Sequence, residues 1–207
     1  MKQKNIKIIT IAIMALIILA GIVVAGIFGF NKELRYSQAK SFDIYVQQQV
    51  DLKKIKEIVN ENLDGADNIV QTVEIYQDLV TIKAKEITDE QKNNIVNKVK
   101  ENYEFTQTAE DTTINTVSGT KFINIYKKYI VPFAISAVLV LIYMAIRYYK
   151  KGVFKVIGRT IIIPIFAEML LLSIIALARI PVGRFTPVLV IVMYVASILM
   201  VIKQNEK

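Results

Sequence analysis

The sequence predicts a multi-pass membrane protein of α+β class: four transmembrane helices with a ferredoxin-like βαββαβ domain between helices one and two. Three observations carry this reading. There are four long apolar runs, a polar stretch at 31–128 with strand and helix periodicities in turn, and basic residues gathered beside the apolar runs.

The apolar runs are Ile8–Phe30, Tyr129–Ile146, Thr160–Ala178 and Phe185–Ile202, of 23, 18, 19 and 18 residues. A helix needs roughly 20 residues to cross the hydrocarbon core, so each run qualifies as a span. The first follows Lys2, Lys4 and Lys7 and ends in small residues, as a secretory signal does. It is longer than the 7 to 15 residues of a signal core, so an uncleaved anchor is expected, with cleavage as the alternative.

Charge fixes the expected orientation. The net charge is +8, yet 31–128 holds 14 basic and 16 acidic residues, so the excess lies elsewhere. Arg147, Lys150, Lys151, Lys155 and Arg159 fall between the second and third runs with no acid among them. Short basic loops stay cytoplasmic, which places both termini inside and 31–128 outside. The Arg179–Arg184 turn then faces outward against the trend, but the opposite topology would export the five-charge loop. The predicted location is a membrane, among its lipids, crossed several times with both termini cytoplasmic, and a nucleic-acid partner is not expected.

The chain has neither cysteine nor histidine. The polar domain must rely on an apolar core, for which about 98 residues suffice. The common zinc ligands, thiol nucleophiles and imidazole bases are missing too, so no metal, cofactor or catalytic residue is expected and an enzyme is not the reading.

Within the polar domain, Phe42, Ile44 and Val46 alternate along Ser41–Val46 as in a half-buried strand. Asp51 opens a helix with Leu52, Ile55, Ile58, Val59 and Leu63 on one stripe, and Gly65 stops it. Ile69–Tyr76 and Leu79–Ala84 read as strands about a Gln77-Asp78 turn. Thr88 and Gln91 form a capping box for a second helix that continues through Ile95 and Val99, and Ile114–Val117 gives a last strand. The order matches the split βαβ arrangement.

In the first span Gly21, Ala25 and Gly29 lie four apart, a stripe that permits close helix contact with this chain's own helices or with another subunit. Tyr126, Tyr129 and Phe133 near one end of the second span, with Tyr143, Tyr148 and Tyr149 towards the other, fit interfacial belts.

Glu168, in the third run, is the proton-site candidate. A charged group at that depth costs about 2.5 to 3.5 kcal/mol on insertion scales, so it needs a partner, a proton or a pathway. Pro164, one turn earlier, removes a backbone hydrogen bond and is the candidate kink. Arg179 is eleven residues away, roughly 16 Å along a helix. Partners must come from other helices, and Ser136, Tyr143, Tyr194 and Ser197 are the polar candidates, none of them basic. Neutral surroundings favour the uncharged acid, which serves either as a hydrogen bond between helices or as a group that takes up and releases protons.

The layout resembles SecF, the smaller membrane subunit of the SecD–SecF export complex. TVSGTKF at 116–122 is similar to the family's lead-in to its second helix, and Arg147-Tyr148 resembles its Arg-Phe step. The family's Asp-Phe-x-Gly-Gly signature has no counterpart in RYSQAKSFDIYV, Arg35 to Val46, and its intramembrane acids would fall near Pro164 and near Ala196 and Ser197. The family usually has six helices where this sequence has four, a shortened and divergent form. The resemblance implies an accessory subunit of the Sec translocase, proton-coupled in the family, that helps move unfolded polypeptide outward. Its partners would be a SecD-like subunit, the Sec channel and the exported chain. An FtsX-type permease-like subunit, passing force from a cytoplasmic ATPase to external cell-wall hydrolases, shares the topology, but the short basic loop offers a coupling ATPase little apolar surface. A membrane-anchored sensor or scaffold is the third reading.

Overall fold

The computed structural model describes residues 2–73 and 76–206. They form two compact units, one of 33–121 and one joining the residues up to Lys32 to those from Phe122 onward. In chain order the elements are α1 (Lys2–Phe28), β1 (Ala39–Tyr45), α2 (Leu52–Asn62), β2 (Asn68–Val73), β3 (Tyr76–Ala84), α3 (Asp89–Asn102), β4 (Asn115–Val117), α4 (Phe122–Arg147), α5 (Val153–Leu177) and α6 (Thr186–Glu206).

In the αβ unit the four strands form one sheet in the order β2-β3-β1-β4, with every neighbouring pair antiparallel. Alternation decides which face is covered. Phe42, Ile44 and Val46 from the first strand region join Val80, Ile82 and Ala84 of β3 in a closed core with Ile55 and Val59 of α2 and Ile95, Val96 and Val99 of α3. Each fully buried aliphatic side chain contributes about 1.5–3 kcal/mol, so this one layer between sheet and helices accounts for the unit's cohesion.

Local signals set the helix limits. Asp51 caps α2 by accepting from the Lys53 N–H at 2.9 Å, and Gly65 beyond its end adopts φ of +72°, which only glycine takes without strain. At α3 the Thr88 hydroxyl accepts from the Gln91 N–H at 3.2 Å, and the Gln91 side chain accepts from the Thr88 N–H at 3.1 Å. Lys92 is buried on α3, and its ammonium donates to the Thr112 carbonyl at 2.8 Å.

Two expectations need correction here. Gln77 and Asp78 are not a turn but part of β3, where the Asp78 carbonyl accepts from the Val46 N–H at 2.8 Å. This tie to the residue just past β1 outweighs the turn preference of a lone aspartate. The link between β2 and β3 includes residues 74 and 75, outside the described residues. The domain boundary expected at 128 lies instead before Phe122, where α4 begins. Lys127 and Lys128 interrupt the apolar run, but a helix tolerates them, and Phe122 is anchored by rings of Phe30 and Tyr126 at 5.1 and 4.9 Å.

Among the described residues the helical unit contains four helices long and apolar enough to cross a membrane: Ile8–Phe28 within α1, then α4, α5 and α6. Between α4 and α5 the basic segment makes one 3-10 turn, Tyr149–Lys151. Both Pro132 and Pro164 lie inside helices that continue past them.

Candidate functional site

In the helical unit α5 is the central element, packing against α1, α4 and α6. The contact with α1 depends on Gly21: a Cβ there would sit 2.3 Å from the Ser173 Cβ, far inside van der Waals contact. The Ser173 hydroxyl donates to the Ile18 carbonyl at 3.3 Å, closing the crossing. Small residues let helix backbones approach in a solvent where apolar surface alone gives no preference for association. The stripe is thereby used within this chain at Gly21. Gly29 does not belong to it: it lies beyond the end of α1 at φ of +62°, with open space around its Cβ position. Its carbonyl accepts from the Arg179 guanidinium at 2.7 Å, and Ala25 accepts from its N–H at 3.0 Å, so Gly29 turns the chain out of the helix. Ala25 is half-buried in the last turns of α1.

Arg179 itself adopts φ of +52°, and around it the Asn31 side chain donates to the Arg179 carbonyl at 2.9 Å while the Val182 N–H donates to Asn31 at 2.7 Å. The α5–α6 turn is thus clasped to the exit of α1. At the other end of the bundle Met144, Tyr148, Val156 and Val201 form a small buried cluster, and Arg147 pairs with Glu206 at 3.2 Å. Tyr143 and Arg147 are also hydrogen-bonded.

Glu168 lies between these two tied ends. Both of its carboxyl oxygens are buried, and among the described residues neither has a hydrogen-bond partner. The four expected partners are not brought to it. The Ser197 hydroxyl donates to the Tyr194 carbonyl of its own helix at 2.6 Å, Tyr143 is engaged by Arg147, and the Tyr194 ring packs edge-on to Phe133 at 4.9 Å. Ser136 and Tyr194 line a cleft of about 760 Å³ between α4 and α6, to which α5 contributes Leu172, one turn after Glu168. With α5 central, α4 and α6 leave between them the cleft that Ser136 and Tyr194 line, while Tyr143 and Ser197 are held by hydrogen bonds of their own. The basic flanks of α5 are also engaged elsewhere, Arg159 with Asn205 at 3.5 Å and Arg179 with Gly29. An isolated buried carboxylate is costly, so Glu168 is stable here as the neutral acid or when another molecule supplies a donor.

Sequence reading missed the Arg179 clasp and the proline inside α4. Neither has a strong local signal, because a left-handed arginine and a tolerated helix proline are both set by neighbours distant in sequence.

No family model matches the chain, and no curated protein matches it. Among solved structures it is similar to SecDF from Thermus thermophilus, described as a translocon-associated membrane protein. That match has 12% identity and a TM-score of 0.45, covering 94% of this chain and 26% of the other. A second SecDF structure, in a super-membrane-facing form, gives 16% identity and a TM-score of 0.48, covering 89% and 25%. The chain spans about a quarter of the length of these structures.

Proposed function

We propose that the protein is a non-enzymatic accessory subunit of the Sec translocase, assisting export of unfolded polypeptide across a bacterial cytoplasmic membrane. One observation carries the reading: a βαββαβ unit with strand order β2-β3-β1-β4 lies in sequence between a single membrane helix and a bundle of three. We read that unit as ferredoxin-like and extracytoplasmic, with both termini inside. Its outer strand β2 pairs on one side only, so its other edge is available to an extended client segment by strand addition. A SecD-like subunit and the Sec channel are the partners in this reading. A second subunit would also supply what Glu168 lacks, either a donor for a structural hydrogen bond or the rest of a proton path.

The test replaces residues 33–121 with a flexible Gly/Ser linker and keeps all four helices. Export of a secreted reporter is expected to slow to the rate seen without the protein; unchanged kinetics would overturn the reading. Crosslinking in cells is expected to capture SecD and the channel, whereas an ATPase and a cell-wall hydrolase would favour the permease-like alternative. Glu168→Gln separates the two roles of the acid: a proton role predicts loss of activity together with loss of its pH response, and full retention of both leaves only the structural role.

A further inference from the structure

The face of the sheet turned away from α2 and α3 has a polar centre, bounded by the Tyr45–Leu79 pair at one end and the Ala39–Val117 pair at the other, and it is not evenly charged. By the period of two, Ser41 and Asp43 of β1, Ile69 and Gln71 of β2, and Thr81 and Lys83 of β3 share it, in cross-strand rows Ser41–Lys83–Ile69 and Asp43–Thr81–Gln71. The segment before β1 crosses this face, and the Lys83 ammonium donates to the Arg35 carbonyl at 3.4 Å. Arg35, Ile69, Gln71, Thr81 and Lys83 together line a pocket of about 190 Å³.

Two cations therefore share one small concavity. Among the described residues neither makes an ion pair. The acid on the same face, Asp43, accepts the Thr81 hydroxyl at 2.6 Å. The lysine feels this arrangement: burial first, and the Arg35 charge second, hold its ammonium below the ordinary value of 10.5. Like charges held together are a cost to the fold that a bound anion removes. Arginine offers a planar fork that matches two carboxylate oxygens, lysine a point charge, and the Gln71 amide a neutral donor beside them. Ile69 supplies an apolar wall for an aliphatic stem.

We propose that this pocket binds a carboxylate, that of an acidic side chain on an extended peptide, with Arg35 and Lys83 as its charged contacts and Gln71 as a neutral one. The pocket stands on its own geometry. Its use for peptide rests on the export reading, since a segment added to the edge of β2 would carry alternate side chains over Ile69 and Gln71.

Acylation of Lys83 in the full-length protein, read by mass spectrometry at that residue, tests the proposal. The additives are N-acetylglutamate amide, N-acetylglutamine amide, N-acetylalanine and inorganic phosphate at matched ionic strength. A bound carboxylate stabilises the ammonium, so the glutamate derivative is expected to slow acylation about 3-fold or more while the glutamine derivative does nothing. Exposed Lys56 is expected to respond to neither. Protection by N-acetylalanine would extend the pocket to chain-terminal carboxylates. Arg35→Gln should slow Lys83 acylation before any additive, because the neighbouring positive charge is gone, and should abolish most of the protection. Equal effects of the glutamate and glutamine derivatives, stronger protection by phosphate, or undiminished protection in Arg35→Gln would each overturn the proposal. The two readings fail separately: protection without any export defect on removal of 33–121 keeps the pocket and removes the client, and the reverse result keeps the client and removes the pocket.

Discussion

The αβ unit and the helical unit use opposite means to hold together. Between Glu33 and Lys121 acids outnumber bases, and the core is closed, with Phe42, Ile44, Ile55, Ile82 and Ile95 all at 0% exposure. Outside that stretch Glu168 and Glu206 are the only acids in the sequence, and large apolar side chains such as Leu16, Leu139 and Val192 stand well exposed around the helices. Water drives the first unit to bury its apolar surface. A lipid surround gives the second no such reason, so its contacts come from close backbone approach at Gly21 and from polar ties at the two ends of the bundle. Equal hydrophobicity thus means cohesion in one region and solvation in the other.

Substitutions can break this contrast. The largest effect is expected for Phe42→Ala, about 3–5 kcal/mol lost from the αβ unit, against about 0.5 kcal/mol or less for Leu139→Ala on the open face of α4. Amide exchange across β1 and β3, with thermal unfolding in a lipid nanodisc, would measure both; similar losses would mean that Leu139 has a protein neighbour in the assembly. Next comes Gly21→Leu, which forces a side chain into Ser173 and is expected to cost about 1–3 kcal/mol of bundle stability, while Gly26→Ala, with open space around it, is nearly neutral. Loss of a crosslink engineered between α1 and α5 would report the separation directly. The smallest is Thr88→Ala, about 1 kcal/mol from removal of the α3 cap, seen as faster exchange in the first turn of α3 with α5 unchanged.

Much of the architecture was legible because its causes are local. The Thr88–Gln91 capping box, the cap at Asp51 and the alternation through Val46 each act within a few residues, and each gave an element close to its observed limits. The apolar runs marked the four long helices but not their starts, α4 and α5 beginning at Phe122 and Val153 rather than at Tyr129 and Thr160. The Gln77-Asp78 turn was misread because the start of β3 is held by a residue more than thirty positions earlier, the Val46 N–H just past β1, and this tie overrode a turn preference. The start of α4 was misread because two lysines look like a domain edge to composition but not to a helix. Gly29 was misread because spacing alone cannot tell a packing glycine from one that ends a helix.

For the candidate sites the division is sharper. Residue type alone marked Glu168 as costly wherever the span placed it, since desolvation needs no partner to be specified. Only the tertiary structure decided that none of the four expected residues hydrogen-bonds Glu168: Ser136 and Tyr194 line the cleft between α4 and α6, and Tyr143 and Ser197 are bonded elsewhere. Likewise, sequence supplied Arg35 and Lys83 as two unremarkable cations 48 residues apart. Their convergence on one pocket follows from strand order and register, which no local pattern encodes.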